Sequence, residues 1–250
     1  MNRSVKNHSV VKEPEVIFFG GTFDPPHQGH RECIKVAAGR FKGASFVIIP
    51  AFAPAGVDGK HKHPLLSFET RRRLCEVAFL DIFKSKKRII ISSVELGLPR
   101  PNYTISTLRT LKLKDPAKAC GFLMGEDQFS CFAKWREPRE ILKLVSLVVV
   151  SRSYIEERTR KRNSLEDPLQ KKVQKVLQSM KIKTIWCEKQ KCFLNKKSGQ
   201  GIFLIEKDLS KAESSRIRSC LSRGKRPPKG WLSKKLEKYL DEVGSDKYHK

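Results

Sequence analysis

The chain has 250 residues and carries 52 Lys and Arg against 26 Asp and Glu, which gives a formal net charge of +26 at pH 7. Its length suits one large α/β domain with a full hydrophobic core, and no apolar run approaches the roughly 20 residues that a membrane-spanning helix needs. Seven scattered cysteines without CxxC spacing indicate neither a zinc site nor a disulfide framework.

The distribution of charge and the composition of the two chain ends suggest how the chain is divided into a domain and tails. The beginning of the chain is polar and lacks the apolar segment of a signal peptide, so we expect a cytoplasmic location. We expect a single domain over residues 15–243, with flexible tails at 1–14 and 244–250. A stretch at about 154–200 is rich in Lys and Arg and predicts a basic insertion. Such a positive surface attracts anionic substrates and leaves contact with nucleic acid open.

The first predicted elements form a phosphate-binding arrangement. An apolar run at Val16–Phe19 predicts a buried strand, and the stretch Gly20–His30 leads from it into a helix at about 29–41. Glycines let the backbone approach an anion, and a helix N-terminus offers unpaired N–H groups and a positive dipole. His27 and His30 are three residues apart, so both rings can face the same anion.

Strands and helices alternate along the rest of the chain. Apolar runs predict strands at 44–50, 88–92, 119–124, 146–150, 183–187 and 201–205, and periodic apolar residues predict helices beginning near 67, 104, 137, 169, 210 and 231. This alternation is typical of βαβ units. We therefore predict an α/β fold with a Rossmann-like doubly wound parallel sheet and a small C-terminal helical part. Residues 188–200 are expected to be a basic loop, and the cluster Lys60–His63 either an anion-contacting loop or a solvated loop tip.

The glycine-rich stretch also carries a family resemblance. Gly20–His30 reads GGTFDPPHQGH and resembles the GGTFDPxHxGH signature of the nicotinate mononucleotide adenylyltransferases, within the HxGH-type nucleotidyltransferase superfamily. Other stretches resemble further motifs of this family in the family's order: Arg71 with Leu74, Pro101–Thr104, Gly125–Asp127, Trp135, and Glu213–Arg218.

The resemblance implies a reaction. The phosphate of nicotinate mononucleotide attacks the α-phosphate of ATP, which forms deamido-NAD and releases pyrophosphate in NAD biosynthesis. It implies Mg²⁺ bound mainly through the ATP phosphates, with no metal ligands from the protein. A site of this kind needs positioning and electrostatic stabilisation rather than a covalent nucleophile.

The resemblance also implies roles for individual residues. Catalysis is assigned to His27, His30 and Arg218. ATP contacts are assigned to both histidines and to Gly20, Gly21, Thr22, Phe23, Asp127, Ser215 and Arg218. Contacts with the acceptor are assigned to Asp24, Tyr103, Thr104, Trp135 and Arg136. Trp135 is expected to stack on the pyridine ring, and Tyr103 with Thr104 to frame its carboxylate.

The sequence departs from the family pattern at two places. Glu213 stands where the late motif has Ser, and a carboxylate beside a triphosphate is repulsive, so we expect Glu213 to point away or the local register to differ. Arg136 stands where an aromatic residue often follows the tryptophan, and we hypothesise that it pairs with the nicotinate carboxylate.

Alternative functions stay open. A sister enzyme could use another phosphate acceptor, such as nicotinamide mononucleotide or phosphopantetheine. The charge of +26 also fits a basic nucleic-acid-binding relative without catalysis. A fragment of a class I aminoacyl-tRNA synthetase is disfavoured because the chain has no KMSKS-like loop. The sequence does not give the preferred acceptor or decide whether the chain forms a homo-oligomer.

Overall fold

The structure is a computed structural model that describes residues 10–56, 63–152, 168–243 and 248. Within these residues, eight strands form one sheet: β1 (Val16–Gly21), β2 (Ser45–Pro50), β3 (Ile89–Ile91), β4 (Cys120–Gly125), β5 (Ser146–Arg152), β6 (Thr184–Cys187), β7 (Cys192–Asn195) and β8 (Gly201–Lys207). Their spatial order is β3-β2-β1-β4-β5-β8-β7-β6. The strands from β3 to β8 in this order are parallel, and β7 and β6 continue the sheet in antiparallel pairing.

Helices cover both faces of the sheet. They are α1 (Gln28–Arg40), α2 (Phe68–Phe79), α3 (Thr104–Lys114), α4 (Glu126–Ser130), α5 (Pro138–Leu144), α6 (Pro168–Ser179), α7 (Ser214–Leu221) and α8 (Lys234–Glu242). Side chains alternate between the two faces of a strand. Accordingly, Ile17 and Phe19 of β1 join the core beneath α1, α2, α7 and α8, whereas Phe18 joins the core beneath α3, α5 and α6. The predicted doubly wound α/β fold is confirmed.

The strand order places a crevice beside β1. The chain builds β1, β2 and β3 outward in one direction, and then returns to add β4 on the other side of β1. At such a reversal the loops that follow the two neighbouring strands separate, and open α/β sheets bind their ligands there. The stretch Gly20–His30 spans the end of β1, the loop after it and the start of α1, and helix α4 begins at Glu126 directly after β4.

The predicted basic loop at 188–200 is wrong, because it contains β7. Cys192, Phe193 and Asn195 are buried, and β7 pairs with both β6 and β8. The strand has only four residues, and the lysines on either side hide its apolar character in the sequence. Helix α6 likewise packs into the core through its apolar stripe. Residues 168–200 of the predicted insertion thus belong to the domain, whereas 153–167 lie outside the described residues.

Both predicted tails contain buried residues. The backbone of Val11 donates to Oε1 of Gln190 and accepts from Nε2 of the same side chain, each at 2.9 Å, and Pro14 is buried. At the other end, Tyr248 is only 2% exposed. The sequence pattern gives no sign of these contacts, since each joins residues that are far apart in the chain. None of the helices in the described ranges is long and apolar enough to cross a membrane.

Candidate active site

A cleft of about 1600 Å³ lies at the carboxyl ends of β1 and β4. Its volume exceeds the roughly 300–1000 Å³ of a typical small-molecule pocket, so it has room for two nucleotides. All the residues that the sequence predicted for the site line this one cleft: Gly20, Gly21, Thr22, Phe23, Asp24, His27, His30, Tyr103, Thr104, Asp127, Trp135, Arg136, Ser215 and Arg218.

Two histidines stand at the N-terminus of α1. His27 is the residue immediately before the helix, and its ring lies against that of His30, with the ring centroids 3.7 Å apart and the ring planes inclined by 30°. The backbone N–H of His27 donates to Nδ1 of His30 at 3.2 Å. Because Nδ1 accepts this hydrogen bond, the neutral ring of His30 carries its proton on Nε2. His30 can therefore donate to an anion in the cleft without a positive charge of its own.

Phe23 has a packing role that differs from the predicted ATP contact. Its side chain is 2% exposed, and its ring meets those of Phe19, Phe79 and His30 edge-on. Gly21 makes this arrangement possible, because a Cβ there would approach the Phe23 ring to 3.0 Å. The ring of Phe23 thus packs against the ring of His30, and its predicted ATP contact stays a prediction.

The side chain of Asp24 is also committed to internal hydrogen bonds. It is 3% exposed, its Oδ2 accepts from the backbone N–H of Leu65 at 2.7 Å, and its Oδ1 accepts from the hydroxyl of Tyr248 at 3.3 Å. The predicted acceptor contact of Asp24 would have to compete with these partners. The structure gives the carboxylate a role in holding the loop.

Helix α7 brings its arginine against the glycine-rich loop. Nη1 of Arg218 donates to the carbonyl of Asp24 at 2.7 Å, and a guanidinium has further N–H groups left for an anion. Ser215 is exposed in the cleft. Glu213 is exposed and lines the cleft, and our expectation that it points away from a triphosphate, or that the local register differs, stays a prediction. Glu213 directly precedes α7, so the placement of this helix, which carries Arg218, also places Glu213.

An aromatic wall lies at another part of the cleft. The ring of Trp135 is half-buried and packs edge-on against Phe122, with the centroids 6.1 Å apart. The guanidinium of Arg136 lies over the ring of Tyr103 at 5.3 Å from its centroid. Thr104 begins α3 directly after that tyrosine. Tryptophan and tyrosine rings beside an arginine suit a planar ring that carries a negative group.

Comparisons with known proteins agree with this geometry. The cytidylyltransferase-like family profile matches residues 18–219. A probable nicotinate-nucleotide adenylyltransferase of Aquifex aeolicus is 34% identical over 54% of this chain and 76% of its own length. The protein of the same name from Leptospira borgpetersenii is 34% identical over 55% of this chain and 67% of its own. The chain belongs to the nicotinate-nucleotide adenylyltransferase family.

Solved structures share the fold. A Plasmodium falciparum nicotinic acid mononucleotide adenylyltransferase complexed with NaAD matches with a TM-score of 0.62 and 14% identity, over 94% of this chain and 98% of that one. A putative nicotinate-nucleotide adenylyltransferase from Vibrio parahaemolyticus matches with a TM-score of 0.56 and 16% identity, over 95% and 97%. As a member of this nucleotidyltransferase family, the chain is an enzyme of NAD biosynthesis with a Rossmann-like fold.

Sequence reasoning missed a buried carboxylate in this adenylyltransferase cleft. Glu95 is 8% exposed, accepts from the backbone N–H of Phe52 at 3.0 Å, and accepts from the hydroxyl of Thr107 at 2.8 Å. Burial raises the pKa of Glu95, against the opposing effect of these two donors. Glu95 ties the loop after β2 to α3. It is a lone acidic residue between Val94 and Leu96 and belongs to no recognisable motif, so only the tertiary contacts identify it.

Arg71 connects three parts of the site. Arg71 is 1% exposed, whereas its neighbours Arg72 and Arg73 form surface ion pairs with Glu69 and Glu76. Arg71 donates to three backbone carbonyls, at 2.6 to 3.1 Å, those of Ala51, Thr22 and Leu66. Desolvation lowers its pKa, and the charge of Asp24 opposes that shift.

Carboxylates and imidazoles in the cleft do not form a metal cage. Across the described ranges, no group of three or more His, Cys, Asp or Glu side chains is placed to hold a metal ion. The cleft instead presents imidazole and guanidinium groups, which pair with phosphate oxygens.

Proposed function

We propose that the chain transfers the adenylyl group of ATP to nicotinate mononucleotide, forming deamido-NAD and pyrophosphate. The observation that carries this proposal is the single cleft that holds both the histidine pair at the α1 N-terminus and the wall of Trp135 and Tyr103. The first feature suits a polyphosphate, and the second suits a charged planar ring. The names of the relatives from Aquifex and Leptospira support the same reaction.

The ATP half of the site lies around the glycine-rich loop. His27 and His30 hold the phosphates, with His30 nearest the transferring group, and the backbones of Gly20, Gly21 and Thr22 add contacts. Arg218 and Ser215 bind the outer phosphates, and Asp127 hydrogen-bonds the ribose or the adenine side. Mg²⁺ supplies positive charge between the phosphates and takes its ligands mainly from their oxygens, as this ion does in other nucleotide sites.

The acceptor half lies against the aromatic wall. Trp135 stacks on the pyridine ring, Tyr103 and Thr104 frame its carboxylate, and Arg136 pairs with that carboxylate. The position of the Arg136 guanidinium over the ring of Tyr103 supports this pairing.

Positioning and charge account for the rate enhancement. The acceptor phosphate attacks the α-phosphorus of ATP, a new P–O bond forms, and the bond to the pyrophosphate oxygen breaks. The Nε2–H of His30 donates to an oxygen of the transferring group, whose negative charge grows in the transition state. No side chain needs to form a covalent bond.

Pyrophosphate release tests the proposal. The protein is assayed with ATP, Mg²⁺ and one acceptor at a time: nicotinate mononucleotide, nicotinamide mononucleotide or phosphopantetheine. We expect the highest kcat/KM with nicotinate mononucleotide. Release only with phosphopantetheine would reassign the acceptor, and release with none of the three would overturn the adenylyltransferase assignment.

The preference for nicotinate tests the role of Arg136. Loss of a charge-assisted hydrogen bond costs about 1.5–3 kcal/mol, so Arg136→Ala is expected to lower kcat/KM for nicotinate mononucleotide by roughly tenfold or more. The value for nicotinamide mononucleotide, which has no carboxylate, is expected to change little. Lys143→Ala, an exposed change on α5 that removes an ion pair with Glu140, serves as the control. An unchanged ratio of the two kcat/KM values would contradict the pairing.

A further inference from the structure

Helix α7 and the chain beyond it bracket the glycine-rich loop. We call residues 22–30 the signature loop. The hydroxyl of Ser214 donates to the carbonyl of Pro25 at 2.9 Å, and the backbone N–H of Gln28 donates to the carbonyl of Trp231 at 2.9 Å. The loop is therefore held on its outer side by residues that are about 190 to 200 positions away in the chain.

Asp24 is the point where most of these contacts meet. Its carbonyl accepts from Arg218, one carboxylate oxygen accepts from the backbone of Leu65, and the other accepts from the hydroxyl of Tyr248. Three separate segments thus fix a single residue of the signature loop. None of the family motifs in the sequence includes Tyr248.

Tyr248 is itself firmly held. Its side chain is 2% exposed and belongs to the same hydrophobic core as Leu232, Leu236 and Leu240, the apolar residues in and just before α8. Burial raises the pKa of its hydroxyl well above the ordinary value, and the nearby charge of Asp24 raises it further. The hydroxyl stays protonated at neutral pH and acts as a donor to the carboxylate.

We propose that Tyr248 is a positioning residue, whose hydroxyl fixes Asp24 and thereby holds the signature loop in the geometry that His27 and His30 need. The kinetic part of this inference rests on the proposed function. Its structural part does not, because the hydrogen bond and the order of the loop exist without substrate.

Tyr248→Phe removes the hydroxyl and keeps the ring in the core. Loss of one hydrogen bond to a carboxylate predicts a drop in kcat/KM of about fivefold or more. Loss of the same hydrogen bond is expected to lower the midpoint of thermal unfolding by only a few degrees. We also expect backbone amides of residues 22–30 to exchange with deuterium about fivefold faster, whereas amides of α6, on the other face of the sheet, keep their rates. Tyr239→Phe is the matched control, because it removes a hydroxyl from a half-buried tyrosine packed against the same core. It is expected to leave kcat/KM and the exchange rates of residues 22–30 unchanged.

Two measurements separate the possible failures. If the wild type releases no pyrophosphate with any acceptor, the proposed function fails, and amide exchange still decides the role of Tyr248. Exchange in residues 22–30 that is the same in Tyr248→Phe and the wild type would overturn the inference. Equal acceleration by Tyr239→Phe would also overturn it, since the effect would then come from general loosening of the core.

Discussion

At the scale of single residues, the site depends on how hydrogen bonds set the state of each side chain. The backbone N–H of His27 sets the tautomer of His30, and the ring of Phe23 packs edge-on against the ring of His30. Neither effect needs a charged imidazole. The chemistry that we propose therefore rests on a preorganised donor, which costs little reorganisation when negative charge develops on the transferring phosphate.

His30→Ala is expected to lower kcat for pyrophosphate release by about 100- to 1000-fold, as found when one preorganised donor is removed from an anion site. The half-buried ring leaves only a small gap, so the circular dichroism spectrum is expected to be retained. Lys35→Ala, on the exposed side of the same helix, is the control. A loss of less than tenfold would show that His30 is not close to the transferring phosphate.

The buried Glu95 predicts a pH dependence of stability. Its pKa is raised above the ordinary 4.5, so its contribution to the free energy of unfolding is largest when it is protonated and is lost as the pH rises through the raised pKa. Glu95→Gln stays neutral, so the unfolding midpoint of the variant minus that of the wild type is expected to increase as the pH rises from about 4.5. Thermal unfolding at a series of pH values measures this difference.

Glu69→Gln provides the opposite case. Glu69 is exposed, and its hydrogen bond with Arg72 lowers its pKa, so its contribution is present above the ordinary pKa and is lost as the pH falls. For Glu69→Gln, the unfolding midpoint of the variant minus that of the wild type is expected to increase as the pH falls. Identical pH trends for the two variants would contradict our account of Glu95.

At the scale of elements, Arg71 joins the ends of β1 and β2 to α2. The carbonyl of Thr22 follows β1 and that of Ala51 follows β2, whereas that of Leu66 precedes α2. The guanidinium of Arg71 supplies hydrogen bonds to loop carbonyls that the backbones of these short loops cannot supply themselves. The carboxyl edge of the sheet is thus fixed from inside the core.

Arg71→Ala is expected to lower the free energy of unfolding by about 3 kcal/mol or more, because three buried carbonyls lose a donor at roughly 1 kcal/mol each and a cavity remains. Arg73→Ala, two residues further along α2, removes only surface ion pairs and is expected to cost less than about 1 kcal/mol. Urea unfolding measures both. Equal losses would show that the buried hydrogen bonds contribute little.

The elements also show what the sequence can and cannot predict. Strands β1, β2, β4 and β5 were predictable because long apolar runs end at glycine, proline or polar residues. β7 was not predictable, since four residues between lysines become a strand only by pairing with β8. Helix α4 was missed for a related reason: it has five residues and no apolar period of its own.

For the site, the motifs predicted which residues line the cleft but not how they are held. The positions of Trp135 and Arg218 follow from spacing within the motifs. In contrast, the internal role of Asp24 depends on partners 41, 194 and 224 residues away, at Leu65, Arg218 and Tyr248. No local pattern contains that information, so the sequence could not show that this side chain has internal partners, and its acceptor contact stays a prediction.

At the scale of the whole molecule, the chain has a net charge of +26, and the proposed substrates of its cleft are anions. A positive surface raises the encounter rate with such substrates, and salt screens this attraction over a Debye length of roughly 8 Å at physiological ionic strength. Contact of nucleic acid with such a surface stays an open alternative that we do not favour.

The value of kcat/KM for nicotinate mononucleotide is expected to fall several-fold as KCl rises from low concentration to about 0.15 M, whereas kcat changes less. Steady-state kinetics at fixed Mg²⁺ measure both. Zwitterionic betaine at the same molarity adds no ionic strength and serves as the control. An equal effect of betaine and KCl would show that electrostatic attraction is not the cause.

The hydrogen bond between Asp24 and Tyr248 also has a consequence for folding kinetics. It closes a chain segment of more than 220 residues, and contacts between such distant residues carry a high entropic cost and form late. The strands around β1 can pair, and the core beneath α1 can pack, before this contact exists. We therefore expect a refolding chain to regain its secondary structure first and the proposed phosphate site afterwards, so that catalysis is among the last properties to return.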